Sequence, residues 1–273
     1  MGGKHVDIDL SGKRILVVGG SAGIGRGAAL AAAEAGAGIT VVGRSTEKLA
    51  EVVTSAGTGT AISADVTDPR RCGELVAEAV AAMGGIDALL YSSAVSPLAP
   101  LGEVDADTWQ RVIATNAIGP ALVTQAALPH LSEDGVVVFL SSISVGGGYF
   151  GLGPYQASKA ALDRTVQSWR AEHPERRFVR MAVGDTEDTD FARDFDMEQA
   201  AALTPRWVEA AVIYKNRMRS ADLGRTIAEF VAMLLAHPGL TIPELTIVPA
   251  GGMLTMSDVQ ELMETLAASR APT

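Results

Sequence analysis

The residues best suited to proton transfer lie in the run Tyr155-Gln156-Ala157-Ser158-Lys159. Tyr155 precedes Lys159 by four positions, so on a helix both side chains lie on one face. A tyrosine has a reference pKa of about 10, and roughly 4 kcal/mol of differential stabilisation would bring it near neutrality. A nearby ammonium group favours the phenolate because opposite charges attract. The spacing therefore suggests a proton-transferring tyrosine with a supporting lysine, although an ordinary amphipathic helix has the same pattern.

Two further polar side chains precede this pair. Ser142 ends the apolar run 135–142, which predicts a buried strand, and Asn116 lies in a long helical pattern at about 105–131. A hydroxyl donates and accepts hydrogen bonds, and an amide does both without charge. Such groups suit the recognition and protonation of a carbonyl oxygen.

A glycine-rich turn, Val18 to Gly25, separates the first apolar run from an Ala-rich helix. Glycines permit a tight turn, and the free N–H groups at a helix N-terminus attract a phosphate. A tightly packed turn without a ligand is the alternative interpretation. The position of the turn inside the first β-α-β unit favours a pyrophosphate site.

The cofactor preference rests on Arg44, at the end of the second predicted strand. Dinucleotide sites that bind the ribose 2'-hydroxyl have an acidic residue in this neighbourhood, whereas this sequence has Gly43-Arg44-Ser45. A guanidinium pairs well with a 2'-phosphate. The sequence therefore favours NADP(H) over NAD(H), with a solvated loop arginine as the alternative.

The elements that must position these residues alternate along the chain. Short apolar runs and helical patterns follow each other from 14 to 183, and 244–249 reads as a last strand. This alternation predicts an α/β fold of the doubly wound Rossmann type, with a mostly parallel seven-stranded sheet and helices on both faces. We expect one domain over 1–273, with a substrate lid at about 185–220.

The combination of motifs resembles the short-chain dehydrogenase/reductase family over residues 12–185. The resemblance implies hydride transfer between a nicotinamide cofactor and a carbonyl or alcohol. It implies that Ser142 binds the substrate oxygen, that Tyr155 passes the proton, and that Lys159 holds the nicotinamide ribose and lowers the tyrosine pKa. Asn116 would keep its helix bent around a proton-relay water. Ser144 is the alternative to Ser142, and the thirteen-residue spacing to Tyr155 favours Ser142.

The same resemblance implies a set of cofactor contacts, with Asp65 against the adenine. The predicted contacts are Gly19, Ser21, Gly23, Ile24, Gly25, Arg44, Ser45, Asp65, Val66, Ser93, Tyr155 and Lys159.

Several segments depart from the family pattern. Its Asn-Asn-Ala-Gly motif is replaced by Tyr91-Ser92-Ser93-Ala94, and its Pro-Gly corner after the sixth strand aligns with Asp185-Thr186. The stretch 185–198 has seven carboxylates and one arginine, which we interpret as the solvated lid rather than a metal or cation site. The predicted substrate contacts are Tyr149 and Phe150, ahead of Trp207, Tyr214 and Met218.

Composition excludes several classes of partner. A net charge of -10 argues against nucleic acid and anionic membrane surfaces, and no run is apolar for the length of a membrane span. Cys72 is the only cysteine and is interpreted as packing, while His5, His130, His173 and His237 lack metal-ligand spacing. We expect a cytoplasmic protein, since the N-terminus has no leader pattern, with a small-molecule carbonyl or alcohol substrate and no metal. The resemblance implies a homodimer or homotetramer through the helices near 105–131 and 155–170.

Two other functions compete with an oxidoreductase. A non-catalytic NADP-binding sensor would use the same fold, but the retained Tyr155 and Lys159 argue against it. A sugar-nucleotide epimerase or dehydratase usually has a larger C-terminal substrate domain, for which this chain has little room.

Overall fold

The computed structural model describes residues 7–261. They contain nine strands: β1 (Arg14–Val18), β2 (Gly38–Gly43), β3 (Thr60–Ser63), β4 (Ile86–Tyr91), β5 (Leu131–Ser142), β6 (Arg177–Val183), β7 (Thr186–Glu187), β8 (Met218–Arg219) and β9 (Glu244–Ile247). The main α-helices are α1 (Gly23–Glu34), α2 (Thr46–Ala56), α3 (Pro69–Met83), α4 (Ala106–Ile113), α5 (Gly119–Ala127), α6 (Gly153–Glu172), α7 (Met197–Glu209) and α8 (Ser220–Ala236). His5 and much of the N-terminal stretch that suggested no leader lie outside the described residues.

The central sheet has seven strands in the order β3-β2-β1-β4-β5-β6-β9, and all neighbouring strands are parallel. The predicted doubly wound sheet is confirmed. From β1 the chain adds β2 and β3 on one side of the sheet, and then crosses to add β4, β5, β6 and β9 on the other side. In open parallel sheets, ligands bind in the crevice at the carboxyl ends of the strands at such a switch point.

Both faces of the sheet are covered by helices. In β1, Ile15 and Val17 belong to the core that α1 and α8 cover, whereas Leu16 and Val18 face the core formed with α3, α5 and α6. Because successive strand residues point to opposite faces, a strand buried on both faces must be apolar throughout. This accounts for the continuous apolar runs in the sequence.

Helices α1 and α8 cross at two glycines. A Cβ atom on Gly224 would lie 2.4 Å from the backbone nitrogen of Ala28, and one on Gly27 would lie 2.8 Å from the Ser220 carbonyl oxygen. The backbones therefore approach more closely than any other residue type allows. This crossing holds α1, and with it the glycine turn, against the sheet.

The long helix predicted over 105–131 is interrupted. A π-helical turn, Ala114–Ile118, separates α4 from α5, and a 3₁₀ turn, Leu128–His130, follows. By length and hydropathy Ala106–His130 passes as a candidate membrane span, yet half of its apolar window is buried inside the protein. Val123 and Ala127 pack in the core against the sheet, which explains the apolar character of the segment.

The segment predicted as a lid begins with a small second sheet. Strands β7 and β8 pair in parallel outside the main sheet, and the Met218 N–H donates to the Asp185 carbonyl at 2.9 Å. The sequence pattern predicted neither strand, because each has only two residues and their pairing is long-range. Helix α7 lies between them in sequence, and whether this segment acts as a substrate lid stays a prediction.

Candidate active site

A cavity of about 970 Å³ lies along the carboxyl ends of the strands. Arg44 and Asp65 line one end, the glycine turn lines the middle, and Ser142, Tyr155 and Lys159 line the other end. This volume is near the upper limit for small-molecule pockets. The structure thus brings nearly all predicted site residues to one continuous cavity.

Helix α6 positions the tyrosine and the lysine. Both side chains are buried, and the Lys159 Nζ atom lies 5.8 Å from the centre of the Tyr155 ring. Nζ donates to the Leu140 carbonyl oxygen at 2.7 Å. The ring of Phe191, from the lid, packs edge-on against Tyr155 with centroids 5.3 Å apart. This contact places part of the predicted lid against the tyrosine ring.

Burial disfavours the charged form of both groups. It raises the pKa of Tyr155 to about 12, against a lowering contribution from a hydrogen bond with Ser142, and the Asp163 carboxylate raises it further. Burial also lowers the pKa of Lys159 to about 8, while Asp163 acts in the opposite direction. The lowering of the Tyr155 pKa that the resemblance implied is thus not found in the protein alone, because desolvation of the phenolate dominates.

Ser142 and Ser144 lie side by side at the end of β5. The Ser142 and Ser144 Oγ atoms are 2.9 Å apart, and Ser142 Oγ accepts from the Ser144 N–H at 3.1 Å. Both hydroxyls are buried and line the cavity. Ser142 acts to lower the pKa of Tyr155, so Ser142 stays the predicted partner of the tyrosine, with Ser144 beside it as the alternative.

Asn116 lies in the π turn and is fully buried, behind the cavity wall. Its Oδ1 atom accepts from the Val95 N–H, and its Nδ2 group donates to the Val95 carbonyl and to Ser158 Oγ, each at 2.9 Å. It therefore ties the loop after β4 to helix α6. Ser158 was not predicted to belong to the site, although its position three residues after Tyr155 places it on the same helical face.

The glycine turn is built by close backbone contacts. Gly19 has φ +87°, and a Cβ atom there would lie 2.5 Å from the Ser93 nitrogen. A Cβ atom on Gly25 would lie 2.3 Å from the Gly19 carbonyl oxygen. Helix α1 begins at Gly23, and its N-cap residue, Ala22, provides no side-chain cap. The first turn also has no acidic residue, which leaves its N–H groups for an anion. Ser21, Gly23 and Ile24 line the cavity beside them.

The far end of the cavity is polar. The Arg44 side chain is exposed and forms no hydrogen bond or ion pair within residues 7–261, so its guanidinium has no protein partner there. Ser45 caps α2 by accepting from the Lys48 N–H at 3.3 Å, and Asp65 accepts from the Thr67 N–H at 2.9 Å. Val66 is buried at the cavity wall.

Two contacts join the predicted lid to the glycine turn and to α2. Thr189 packs against Gly23, where a Cβ atom would lie 3.3 Å from its methyl group, and Asp190 lies 3.7 Å from Lys48 Nζ. Neither contact was predicted, because the residues are distant in sequence. These contacts connect the lid to the predicted cofactor-binding edge.

The predicted substrate contacts divide into two groups. Tyr149 and Trp207 line the cavity, whereas Phe150, Tyr214 and Met218 do not. The Tyr149 hydroxyl donates to the Val212 carbonyl at 2.6 Å, and Phe150 packs under the Arg206 guanidinium at 4.1 Å. Phe150 therefore contacts α7 and does not line the cavity.

Within residues 7–261, Cys72 and the histidines form no group that could hold a metal ion. Burial raises the pKa of Cys72 to about 11, and its Sγ atom donates to the Val66 carbonyl at 3.3 Å, as expected for a packing residue. No group of three His, Cys, Asp or Glu side chains within residues 7–261 is arranged to hold a metal ion. The absence of a catalytic metal stays a prediction.

Comparison with known proteins gives concordant matches. The short chain dehydrogenase family model matches residues 13–200. A short chain dehydrogenase from Pseudocercospora fijiensis is 32% identical over 171 residues, which cover 60% of this chain and 55% of that protein. Glucose 1-dehydrogenase from Gluconobacter oxydans is 27% identical over 269 residues, covering 92% and 95%. The matched segment spans 55% to 64% of the length of four curated relatives.

A solved structure shows the same architecture. A short chain dehydrogenase from Burkholderia cenocepacia, determined in complex with NADP, superposes with a TM-score of 0.75 at 27% sequence identity. The superposition covers 88% of this chain and 97% of that chain.

Proposed function

Because the chain belongs to the short-chain dehydrogenase family, we propose that it is an NADP(H)-dependent oxidoreductase that interconverts a carbonyl and an alcohol. One observation carries this proposal: a single cavity contains an uncapped helix N-terminus at one point and the buried Tyr155, Lys159 and Ser142 at another. The first fits a pyrophosphate, and the second fits a reacting carbonyl group. The proposed substrate is a small-molecule alcohol or carbonyl compound.

Three side chains have proposed roles at the reacting oxygen. The Ser142 hydroxyl donates a hydrogen bond to the substrate oxygen, and Tyr155 gives that oxygen a proton in reduction or removes one in oxidation. Lys159 holds a ribose of the bound cofactor and supplies positive charge beside the phenol. Asn116 positions this group through α6 and the Val95 loop. When bound, NADP(H) supplies or accepts the hydride.

The preference for NADP(H) over NAD(H) is part of the proposal and rests on Arg44. Its exposed guanidinium at the cavity edge has no protein partner within residues 7–261, and no acidic residue takes its place at the end of β2. A 2'-phosphate would provide a charge-assisted, bidentate partner. The remaining predicted contacts, including Ser45, Asp65 and Ser93, would hold the adenosine half.

A homodimer or homotetramer is the proposed assembly, through the exposed faces of the α4–α5 segment and α6. Ile118 supports the α4–α5 face, because nearly half of its side chain is exposed. Closed, symmetric assemblies are the usual outcome for soluble oligomers. Light scattering coupled to gel filtration gives the mass of the assembly, and Ile118→Glu should reduce it. A cytoplasmic location stays a prediction.

Replacing Tyr155 with phenylalanine tests the proposed reaction. Wild type and Tyr155→Phe are assayed for NADPH oxidation with a panel of ketones, aldehydes and sugars, and the affinity for NADPH is measured by calorimetry. We expect turnover to fall by about a thousandfold or more, with nucleotide affinity within about threefold of wild type. Turnover that survives the substitution would contradict the mechanism. NADPH binding without turnover of any compound would favour the sensor.

A further inference from the structure

Asp185 is a carboxylate at the reaction end of the cavity. Strand β6 pairs with β5 so that Val183 lies beside Ser142, and Asp185 follows two residues later. Its half-buried side chain lines the same cavity as Ser142 and Tyr155. Asp185 stands where the family pattern has its Pro-Gly corner, and the proposed reaction gives this carboxylate no role.

One carboxylate oxygen of Asp185 accepts a hydrogen bond, whereas the other has no protein partner within residues 7–261. The Tyr214 N–H donates to Asp185 Oδ2 at 2.9 Å, and the Asp185 carbonyl accepts from Met218. Within residues 7–261 no hydrogen bond or ion pair reaches Oδ1. Arg217, the nearby cation that acts on this carboxylate, is exposed and forms no ion pair with it.

The negative charge of Asp185 acts on groups around the cavity. Burial raises the pKa of its carboxyl group, whereas the Tyr214 N–H and Arg217 lower it. The same carboxylate contributes to the raised pKa of the Tyr149 phenol, which donates a hydrogen bond across the cavity wall. In a partly desolvated cavity, such a charge favours a cation over a neutral group.

The position of the cavity ends indicates which group faces this charge. With the pyrophosphate at the N-terminus of α1, the adenosine half of a dinucleotide extends over β2 and β3, where Arg44 and Asp65 lie. The nicotinamide half then extends over β4, β5 and β6, where Asp185 lies. Oxidised nicotinamide is cationic, whereas reduced nicotinamide is neutral.

We propose that Asp185 is a charge-selecting residue of the nicotinamide subsite, which makes this protein bind oxidised NADP⁺ more tightly, relative to NADPH, than it would without the carboxylate. This inference rests on the proposed function. It assigns Asp185 to cofactor discrimination rather than to proton transfer. Each tenfold gain in the affinity ratio lowers the midpoint potential of the bound couple by about 30 mV.

The test is a calorimetric titration with NADP⁺ and with NADPH, carried out on wild type, Asp185→Asn and Glu187→Gln in the absence of substrate. Asparagine keeps an oxygen that can accept from the Tyr214 N–H, so the lid contact is preserved while the charge is removed. Glu187→Gln provides the matched control, because it removes a charge two residues along the chain from a residue that also lines the cavity but is exposed, so that solvent screens it.

For Asp185→Asn, we expect the preference for NADP⁺ over NADPH to fall about tenfold relative to wild type. For Glu187→Gln, the change should stay within about twofold. A ratio that Asp185→Asn leaves unchanged would overturn the inference, and so would an equal loss of affinity for both nucleotides, which indicates a structural role. Failure of the wild type to bind either nucleotide would overturn the proposed function as well.

Discussion

Tyr155 and Lys159 stand four residues apart in a part of α6 that excludes water. The pKa of Lys159 falls from its ordinary 10.5 to about 8, a change worth on the order of 3 kcal/mol. Asp163, one helical turn further on, is held by Arg180 at 2.6 Å and offsets part of this cost. The protein therefore keeps an under-solvated ammonium group beside the phenol, where a bound ligand can stabilise it.

Removing this ammonium group should stabilise the protein without cofactor. The folded-state pKa of Lys159 is lower than the unfolded value, so between about pH 8 and pH 10.5 the unfolded state binds more protons and wild-type stability rises with pH. We expect Lys159→Met to gain about 2 kcal/mol in unfolding free energy near pH 7 and less near pH 10, as measured by urea denaturation.

Lys48→Met provides the control for that comparison. Lys48 is exposed, and its ion pair with Asp190 is a surface contact of small value. Its replacement should change stability by no more than about 0.5 kcal/mol at either pH. A Lys159→Met protein that is less stable than wild type at both pH values would show that the lysine is not under-solvated.

Ionisation of Tyr155 should depend on the cofactor. In the protein alone its pKa is about 12, so the phenol stays protonated throughout the neutral and mildly alkaline range. The cationic nicotinamide ring of bound NADP⁺ should favour the phenolate and lower this pKa by about one unit or more. The difference in tyrosinate absorbance between wild type and Tyr155→Phe, followed up to about pH 10, measures the change. A tyrosinate signal that NADP⁺ does not affect would contradict it.

At the scale of elements, the π turn between α4 and α5 brings Asn116 to face two other segments. An extra residue in the helical turn rotates the amide inward, where it satisfies both polar backbone groups of Val95 and the Ser158 hydroxyl. Without Asn116 the Val95 N–H and carbonyl would be buried without hydrogen bonds, and Ser158 would keep only its bond to the Tyr155 carbonyl oxygen. The π turn is thus a joint that fixes the position of α6.

Asn116→Ala should destabilise the protein by about 2 to 4 kcal/mol, because it leaves the Val95 N–H and carbonyl buried and unpaired and removes one partner of Ser158. Asn216→Ala removes the same side chain from an exposed position, where it makes one hydrogen bond to the Ala250 carbonyl, and should cost less than about 1 kcal/mol. Chemical denaturation of the two variants measures both values. Equal costs would show that Asn116 is not a buried brace.

The close crossing of α1 and α8 requires glycine at the contact. Gly224→Ala would place a methyl group 2.4 Å from the Ala28 nitrogen and should destabilise the protein by about 2 kcal/mol or more. Gly73, also inside a helix, has nothing within 4 Å of a Cβ atom, so Gly73→Ala should stabilise by about 0.5 to 1 kcal/mol. Thermal denaturation gives both shifts, and shifts of the same sign would contradict the close crossing.

Across the whole molecule, those features that depend on residues close together in sequence could be predicted from the sequence. The apolar runs predicted the seven main strands, because parallel strands buried on both faces must be apolar. The pair Tyr155 and Lys159 was readable because four residues on a helix define a face. The glycine turn was readable from its place between a strand and a helix.

Other features depend on contacts between residues far apart in sequence. The pairing of β7 with β8, the packing of Thr189 on Gly23 and the hydrogen bond from Tyr214 to Asp185 leave no periodic pattern. The direction of the Tyr155 pKa change could not be predicted from the sequence either, because it depends on how deeply folding buries the phenol. These are the parts of the site where only the three-dimensional arrangement was informative.

The most direct test of the central claim is a calorimetric titration of the wild-type protein and of Arg44→Asp with NADPH and with NADH. We expect wild type to bind NADPH about tenfold or more tightly than NADH, and Arg44→Asp to lose this preference while still binding NADH. Binding of neither nucleotide to the wild-type protein would contradict the account of a dinucleotide-dependent oxidoreductase.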